Sequence, residues 1–255
     1  MISSRPHVGP PEDGDSFEGE DFARVDWFGA ELSGVTFTRC RFDDASLEEL
    51  VTRRCVFEEC VLTGIRMGGA RHVGSAFLSC RFDRSKLFDV AWEGCKLTGS
   101  HFPGVQLPGM VSTDSDWSYT SLRGVNLSGL DLSGQRFREA DLTDADLREC
   151  DLTNADLDRA RLQSTKMRGA DLRGASMDEV NWRAFDLTDA DLRDCDLTGA
   201  DLDRARLQST MLRGADLRGA SMDEVNWRGF DVAGVRLDLV QAVQFARAHG
   251  ALVAD

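Results

Sequence analysis

The chain has 255 residues, 42% of them hydrophobic, with 44 acidic against 30 basic side chains and a formal net charge of −14. That sign argues against nucleic acid as a ligand, since its binders present basic surface, and no stretch approaches the ~18 apolar residues of a membrane span. Four histidines without ligand spacing, seven cysteines without a CxxC pair, and the lack of a nucleophile elbow or phosphate loop point to a cytoplasmic, non-enzymatic chain with no cofactor and no metal.

Residues 1–14 are rich in Pro, Gly, Ser and acid, have no periodicity and read as a flexible tail. From Phe17 to Leu237 every fifth residue is large and apolar in one register: Phe17, Phe22, Trp27, Leu32, Phe37, and onward to Trp227, Val232 and Leu237. Only Thr52, His72 and Ser112 are polar at this position, called i below. A helix repeats every 3.6 residues and a strand every 2. A period of five demands a chain that turns a corner every five residues. In extended geometry i and i−2 share a face while i−1 points away. The i−2 residues are usually small, as in Ala30, Ala45, Ala140 and Ala155, and all seven cysteines (Cys40, Cys55, Cys60, Cys80, Cys95, Cys150 and Cys195) fall there. They read as reduced, buried small residues. Glycine recurs at i+2, where a turn can require positive φ.

Three stretches weaken the pattern: Glu48 to Arg54, Gly68 to Gly74, and Pro103 to Ser115. The last, with two prolines and a polar i residue, is where a corner loop or a kink is expected. Further on, Asp141 to Phe185 reappears as Asp186 to Phe230 with five differences: Glu149/Asp194, Asn154/Gly199, Lys166/Met211, Met167/Leu212 and Ala184/Gly229. The copy is offset by nine pentapeptides. With four per coil it lands one face further round, which suits a scaffold whose coils contact only their neighbours.

After Leu237 the register is lost. Asp238 and Gln241 read as a capping box, Leu239, Val240, Val243 and Ala246 fall close to one helical face, and Gly250 is a stop, predicting a helix over Leu239 to His249. Phe245 lies off that face. This apolar surface exceeds what a cap requires, so Leu239, Val240, Val243, Phe245 and Ala246 are expected to pair two chains into a homodimer. The organisation read here is a tail over 1–14, a repeat over 15–238, and a capping or dimerising segment over 239–255.

The charge is uneven, with net −8 over residues 1–50, +2 over 51–140 and −8 over 141–255. Residues 20 apart should stack on one face. Such steps give one row of Asp131, Asp151, Asp171, Asp191, Met211 and Asp231, and another of Asp156, Ser176, Asp196 and Asp216. The partner expected from this sign is a basic surface.

Runs such as ADLTD-ADLRE-CDLTN-ADLDR (Ala140 to Arg159) carry the motif A(D/N)LXX. The sequence resembles the pentapeptide-repeat family from roughly Asp15 to Leu239. The resemblance implies an all-β fold, a right-handed quadrilateral β-helix with four pentapeptides per coil and a short C-terminal α-helix. Aromatic and Met residues at i in the first coils, Cys at i−2, net acidity and the final helix resemble the DNA-mimicking quinolone-resistance branch, Qnr-like and mycobacterial. That branch implies binding to DNA gyrase or topoisomerase IV, protection from poisons such as quinolones, and dimerisation through the C-terminus. The competing expectation is a regulatory or structural interaction scaffold with another basic partner.

Overall fold

The computed structural model describes residues 9–253 apart from 178, 179, 183, 184, 186 and 189. Residues 1–8 of the expected tail, with His7, and residues 254–255 of the C-terminal segment lie outside the described residues, as does Asp186, the first residue of the second copy. The chain forms two compact units, Met1–Asn126 and Leu127–Asp255.

Unit 1 is built from coils of 20 residues. Nine short strands lie among its described residues: β1 (Ser16–Glu18), β2 (Glu31–Ser33), β3 (Thr36–Thr38), β4 (Val51–Arg53), β5 (Val56–Glu58), β6 (Arg71–Val73), β7 (Ala76–Leu78), β8 (Ala91–Glu93) and β9 (Val111–Thr113). They form two parallel sheets, ordered β1-β3-β5-β7 and β2-β4-β6-β8-β9. Phe17 pairs with Phe37, Phe37 with Phe57 and Phe57 with Phe77, so each coil lies in register on the previous one. The other two sides are held by single bridges, such as Asp21↔Arg41 and Ser46↔Arg66. The ladder reaches back into the expected tail, where Gly14 N–H donates to the Ser33 carbonyl at 2.9 Å. Among its described residues unit 2 repeats the coil through single bridges, such as Asp131↔Asp151 and Asp141↔Arg161, and carries α1 (Leu239–Ala248) near its end.

Hydrogen-bond accounting explains the five-residue unit. In the pentapeptide around Leu152, the N–H of Leu152 donates to Asp171, that of Asn154 to Arg173, that of Asp151 back to Leu130, and that of Ala155 to Leu152 across the corner. The fifth N–H, at i+1, has no backbone acceptor in this scheme. The Asp at i−1 supplies one: Thr153 N–H donates to Asp151 Oδ1 at 2.9 Å, Arg173 to Asp171 at 3.2 Å, and Thr198 to Asp196 at 3.0 Å. This local bond bends the chain just after i. Where β-branched residues flank i instead, as in Thr36, Thr38, Val51 and Val56, the chain stays extended long enough to form a strand.

The core follows from the same register. Phe37, Phe57 and Phe77 stack face to face, with centroids 4.8 and 4.6 Å apart. The seven cysteines are free and buried in the i−2 slots. Their thiols reach carbonyls of the preceding coil, Cys80 to Phe57 at 3.2 Å and Cys95 to His72 at 3.3 Å. Serine and threonine use the slot identically, Ser100 to Phe77 at 2.8 Å and Thr165 to Leu142 at 2.8 Å. Burial pushes the Cys150 thiol up to about 11, away from the reactive thiolate.

The stretch expected to loop or kink does neither. Gln106 bridges to Lys86, Asp116 to Lys96, and β9 pairs with β8. Pro103 and Pro108 occupy i+1, the one site whose N–H the ladder does not use. Gly104 and Gly109 follow at φ +65° and +69°. Phe102-Pro-Gly-Val105 closes with a Val105 N–H bond to Phe102, so Pro and Gly sit in the central positions where type II turns favour them. A Cβ on Gly109 would also meet Asp89 Oδ1 at 2.0 Å.

The three polar i residues lie on one side, where Thr52 pairs with His72, His72 with Trp92 and Trp92 with Ser112. Thr52 Oγ1 lies 2.8 Å from His72 Nδ1 and 2.9 Å from Ser75 Oγ, while Trp117 Nε1 donates to Ser112 Oγ at 3.0 Å. The imidazole stacks on Trp92 with centroids 4.5 Å apart. Burial drives the pKa of His72 from 6.5 down to about 3. The folded state therefore holds a neutral ring, and the unfolded state takes up the proton first. Stability is full above pH 6.5 and falls by about 1.4 kcal/mol per pH unit below it. Urea unfolding at pH 6.5 and 5.0 should show a loss of about 2 kcal/mol, and His72→Gln should flatten that difference. Equal slopes in both proteins would contradict the neutral buried ring.

Candidate functional site

The structure places both aspartate rows of unit 2 as ladders. Asp131 bridges to Asp151, Asp151 to Asp171, Asp171 to Asp191, Asp191 to Met211 and Met211 to Asp231. On the other row Asp156 bridges to Ser176, Ser176 to Asp196 and Asp196 to Asp216. From Asp131 to Asp191 and from Asp196 to Asp216 the rungs follow the inter-strand spacing of ~4.8 Å, while Met211 and Ser176 each leave a rung without a carboxylate.

Their chemistry is not uniform. Each of the eight aspartates lends Oδ1 to the N–H two residues on, so one oxygen is engaged in the corner. Three also hold an arginine fork at i+1. Arg173 grips Asp171, Arg193 grips Asp191 at 2.9 and 2.7 Å, and Arg218 grips Asp216 at 2.9 and 2.7 Å. Asp191 and Asp216 are buried beneath these forks. The Arg218 guanidinium holds the Asp216 carboxyl down at about 2, and Arg173 lowers that of Asp171. Arg138 lies 3.5 Å from Asp156. Among the described residues no arginine or lysine stands within ion-pair distance of Asp131, Asp151, Asp196 or Asp231, although Arg173 also feels the charge of Asp151 and Arg218 that of Asp196. Hydrogen bonds from Ser133 hold Asp131 below the usual carboxylate range. The rows are therefore half compensated. The missed signal is the tripeptide Asp-Leu-Arg, which places a guanidinium on the same face as the aspartate two residues earlier.

At the C-terminal end Asp238 caps α1, its carboxylate accepting from Gln241 N–H at 3.0 Å while Gln241 Oε1 accepts from Asp238 N–H at 2.9 Å. The Gln241 amide is buried and donates to the Leu217 and Ala220 carbonyls, which ties the helix to the coil below. Phe245 meets Trp227 edge-on at 6.0 Å and so serves the cap. Val243 and Ala246 are half-buried, whereas Leu239 and Val240 are 81% and 67% exposed. In the last pentapeptides before the helix Val232, Val235 and Leu237 remain half-buried. Among the described residues no group of three or more His, Cys, Asp or Glu is placed to hold a metal ion, and no helix is long and apolar enough to cross a membrane.

Two family models cover this coil architecture. The model for pentapeptide repeats matches residues 155–181 and 186–229, and that for a pentapeptide repeat region matches 85–162, together more than half of the chain. The chain belongs to the pentapeptide-repeat family. It is similar to the pentapeptide repeat protein MfpA of Mycobacterium tuberculosis, with 36% identity over 104 residues, 41% of this chain and 54% of that protein. The chain thus matches about half the length of this curated relative. Among solved structures it aligns with a trypsin-treated form of QnrB1, a plasmid-mediated fluoroquinolone resistance protein. The alignment has a TM-score of 0.49 and 17% identity, covering 96% of this chain and 99% of that one. HetL, a pentapeptide repeat protein involved in heterocyst differentiation regulation in the cyanobacterium Nostoc sp. strain PCC 7120, aligns at a TM-score of 0.43 and 22% identity, over 91% and 87%.

Proposed function

We propose that this pentapeptide-repeat protein is a DNA mimic that binds DNA gyrase or topoisomerase IV on the basic surface that otherwise holds DNA. Binding modulates the enzyme and protects it from poisons such as quinolones. The observation that carries this reading is the pair of registered aspartate ladders, with Asp131, Asp151, Asp196 and Asp231 outside direct ion pairs among the described residues. The likeness to MfpA supports it. The role is non-catalytic, needs no cofactor and belongs in the cytoplasm. The division into a tail over 1–14, a repeat over 15–238 and a C-terminal segment over 239–255 is part of the same proposal. Purified protein should inhibit gyrase supercoiling at low salt and shift its response to a fluoroquinolone. Absence of both effects would overturn the reading.

A homodimer through the C-terminus completes it. Leu239 and Val240 are exposed on α1, beside last-coil residues that the helix only half covers. Sedimentation should show a dimer at micromolar concentration, and Leu239→Glu with Val240→Glu should give a folded monomer. A monomeric parent protein would exclude this contact.

One observation favours the second reading, a regulatory or structural scaffold for another basic partner. Arginine forks neutralise Asp171, Asp191 and Asp216, so these aspartates serve the coil first.

A further inference from the structure

Near the end of unit 2 one side of the coil opens. On the preceding side the i residue donates to the next coil, Leu202 N–H to Ser221 at 2.8 Å. One corner on, no bridge joins Arg206 to Asn226 among the described residues. The Asn226 carbonyl instead accepts from Gly229 N–H at 3.1 Å, and the Gly229 carbonyl accepts from Ser209 N–H at 3.2 Å. Phe230 stands at this corner in an i−2 slot, and its ring stays only half-buried beside Trp227 with centroids 5.8 Å apart, whereas Phe185, in the same slot of the first copy, is buried.

The displaced corner leaves a cavity of about 600 Å³, whose lining includes Arg193, Met211, Arg213, Arg228, Phe230 and Asp231. That volume is in the range of small-molecule sites. The lining carries three cations and one anion, although the chain has a net charge of −14. The Arg193 fork is occupied by Asp191, and Arg228 Nε is held by the Ala248 carbonyl at 2.6 Å. Arg213 has no side-chain hydrogen bond or ion pair among the described residues and keeps its whole fork for an incoming group. Met211 is 44% exposed, and with Phe230 it adds an apolar wall.

A second, independent observation comes from the duplication. Nine of the ten lining residues fall within the 45-residue second copy, a fifth of its length. Yet three of the five positions that differ between the copies, Met211, Leu212 and Gly229, line this cavity. Lys166 of the first copy becomes Met211, which exchanges a cation for apolar surface. Ala184 becomes Gly229, and a Cβ there would stand 3.4 Å from the Asn226 carbonyl oxygen.

We propose that this cavity binds an organic monocarboxylate with an aromatic body, its carboxylate on the Arg213 guanidinium and its ring against Met211 and Phe230. One free planar fork matches one planar carboxylate. The thioether and the half-exposed ring suit an aromatic face. Met211 and Asp231 also belong to the first aspartate row, but the binding measured below is of a small carboxylate to this chain alone, so its failure and a failure of topoisomerase binding are distinguishable.

Titration of the full chain with 2-naphthoate tests this by calorimetry or ligand fluorescence. The expected dissociation constant is on the order of 0.1 mM. Arg213→Gln should weaken binding about tenfold, and Gly229→Ala, which restores the residue of the first copy, should weaken it measurably. Arg168→Gln, the equivalent change in the first copy, should leave it unchanged. Arg213 is exposed, so an unaltered melting curve is expected for its variant. Equal affinity for neutral 2-naphthylmethanol would reduce the site to an apolar crevice, and displacement by equimolar inorganic phosphate would reduce it to a diffuse cationic patch. Either result, or an unchanged affinity in Arg213→Gln, overturns the proposal.

Discussion

Leu157→Ala is expected to lower the unfolding free energy by about 2–5 kcal/mol. Leu157 is fully buried and stands at i with Leu152 and Leu162 as its neighbours along the chain. Its N–H donates to Ser176 at 2.8 Å, and Ala160 N–H returns to its carbonyl at 2.9 Å. These bonds fix the coil on both sides of the side chain. The surrounding backbone cannot close on the space that the truncation leaves, so the cavity contribution should be close to its full size. Leu237→Ala should cost much less, because Leu237 is only half-buried. Urea unfolding followed by circular dichroism measures both. An unchanged midpoint for Leu157→Ala would contradict its place in the core, and equal losses for the two variants would contradict the packing argument.

The period of five made the coil legible, because one buried side chain per corner leaves a periodic trace that survives wide variation at the other four positions. The capping box of α1 was legible because Asp238 and Gln241 are three residues apart and bond locally. The stretch Pro103 to Ser115 was misread for a physical reason. Proline and glycine ordinarily interrupt structure, but this coil contains a corner at every pentapeptide, and Pro-Gly suits its two corner positions. The polar residues Thr52, His72 and Ser112 looked like faults in sequence. They lie 20 residues apart or a multiple of it, and in space they form one column whose members satisfy one another or a neighbour. The aspartate rows were legible as positions but not as charge. An aspartate at i−1 reads as a solvated carboxylate, whereas its first duty is to accept the N–H that the corner leaves over. The open corner at Phe230 was not legible, because the first copy carries the same residue in the same slot, Phe185, and buries it.

Those two duties of aspartate yield a test with opposite signs. Asparagine keeps the Oδ1 acceptor, so Asp131→Asn, Asp151→Asn, Asp196→Asn and Asp231→Asn together should preserve the corners and the melting temperature. They move the net charge from −14 to −10 and remove from both rows the carboxylates outside direct ion pairs. The concentration needed for half-inhibition of gyrase at low salt should rise at least about tenfold, and its salt dependence should flatten, because exposed charges are screened beyond ~8–10 Å at physiological ionic strength. Arg173→Gln with Arg193→Gln moves the charge the other way, to −16, and uncovers Asp171 and Asp191. That pair should lower the half-inhibitory concentration. Asp191 is buried under the Arg193 fork, so the same pair should also reduce stability modestly, through the loss of a charge-assisted bidentate bond. Inhibition and stability then move in opposite directions in the arginine variant, while only inhibition moves in the aspartate variant. A scaffold whose aspartates serve the coil alone would show the stability change without either shift in inhibition.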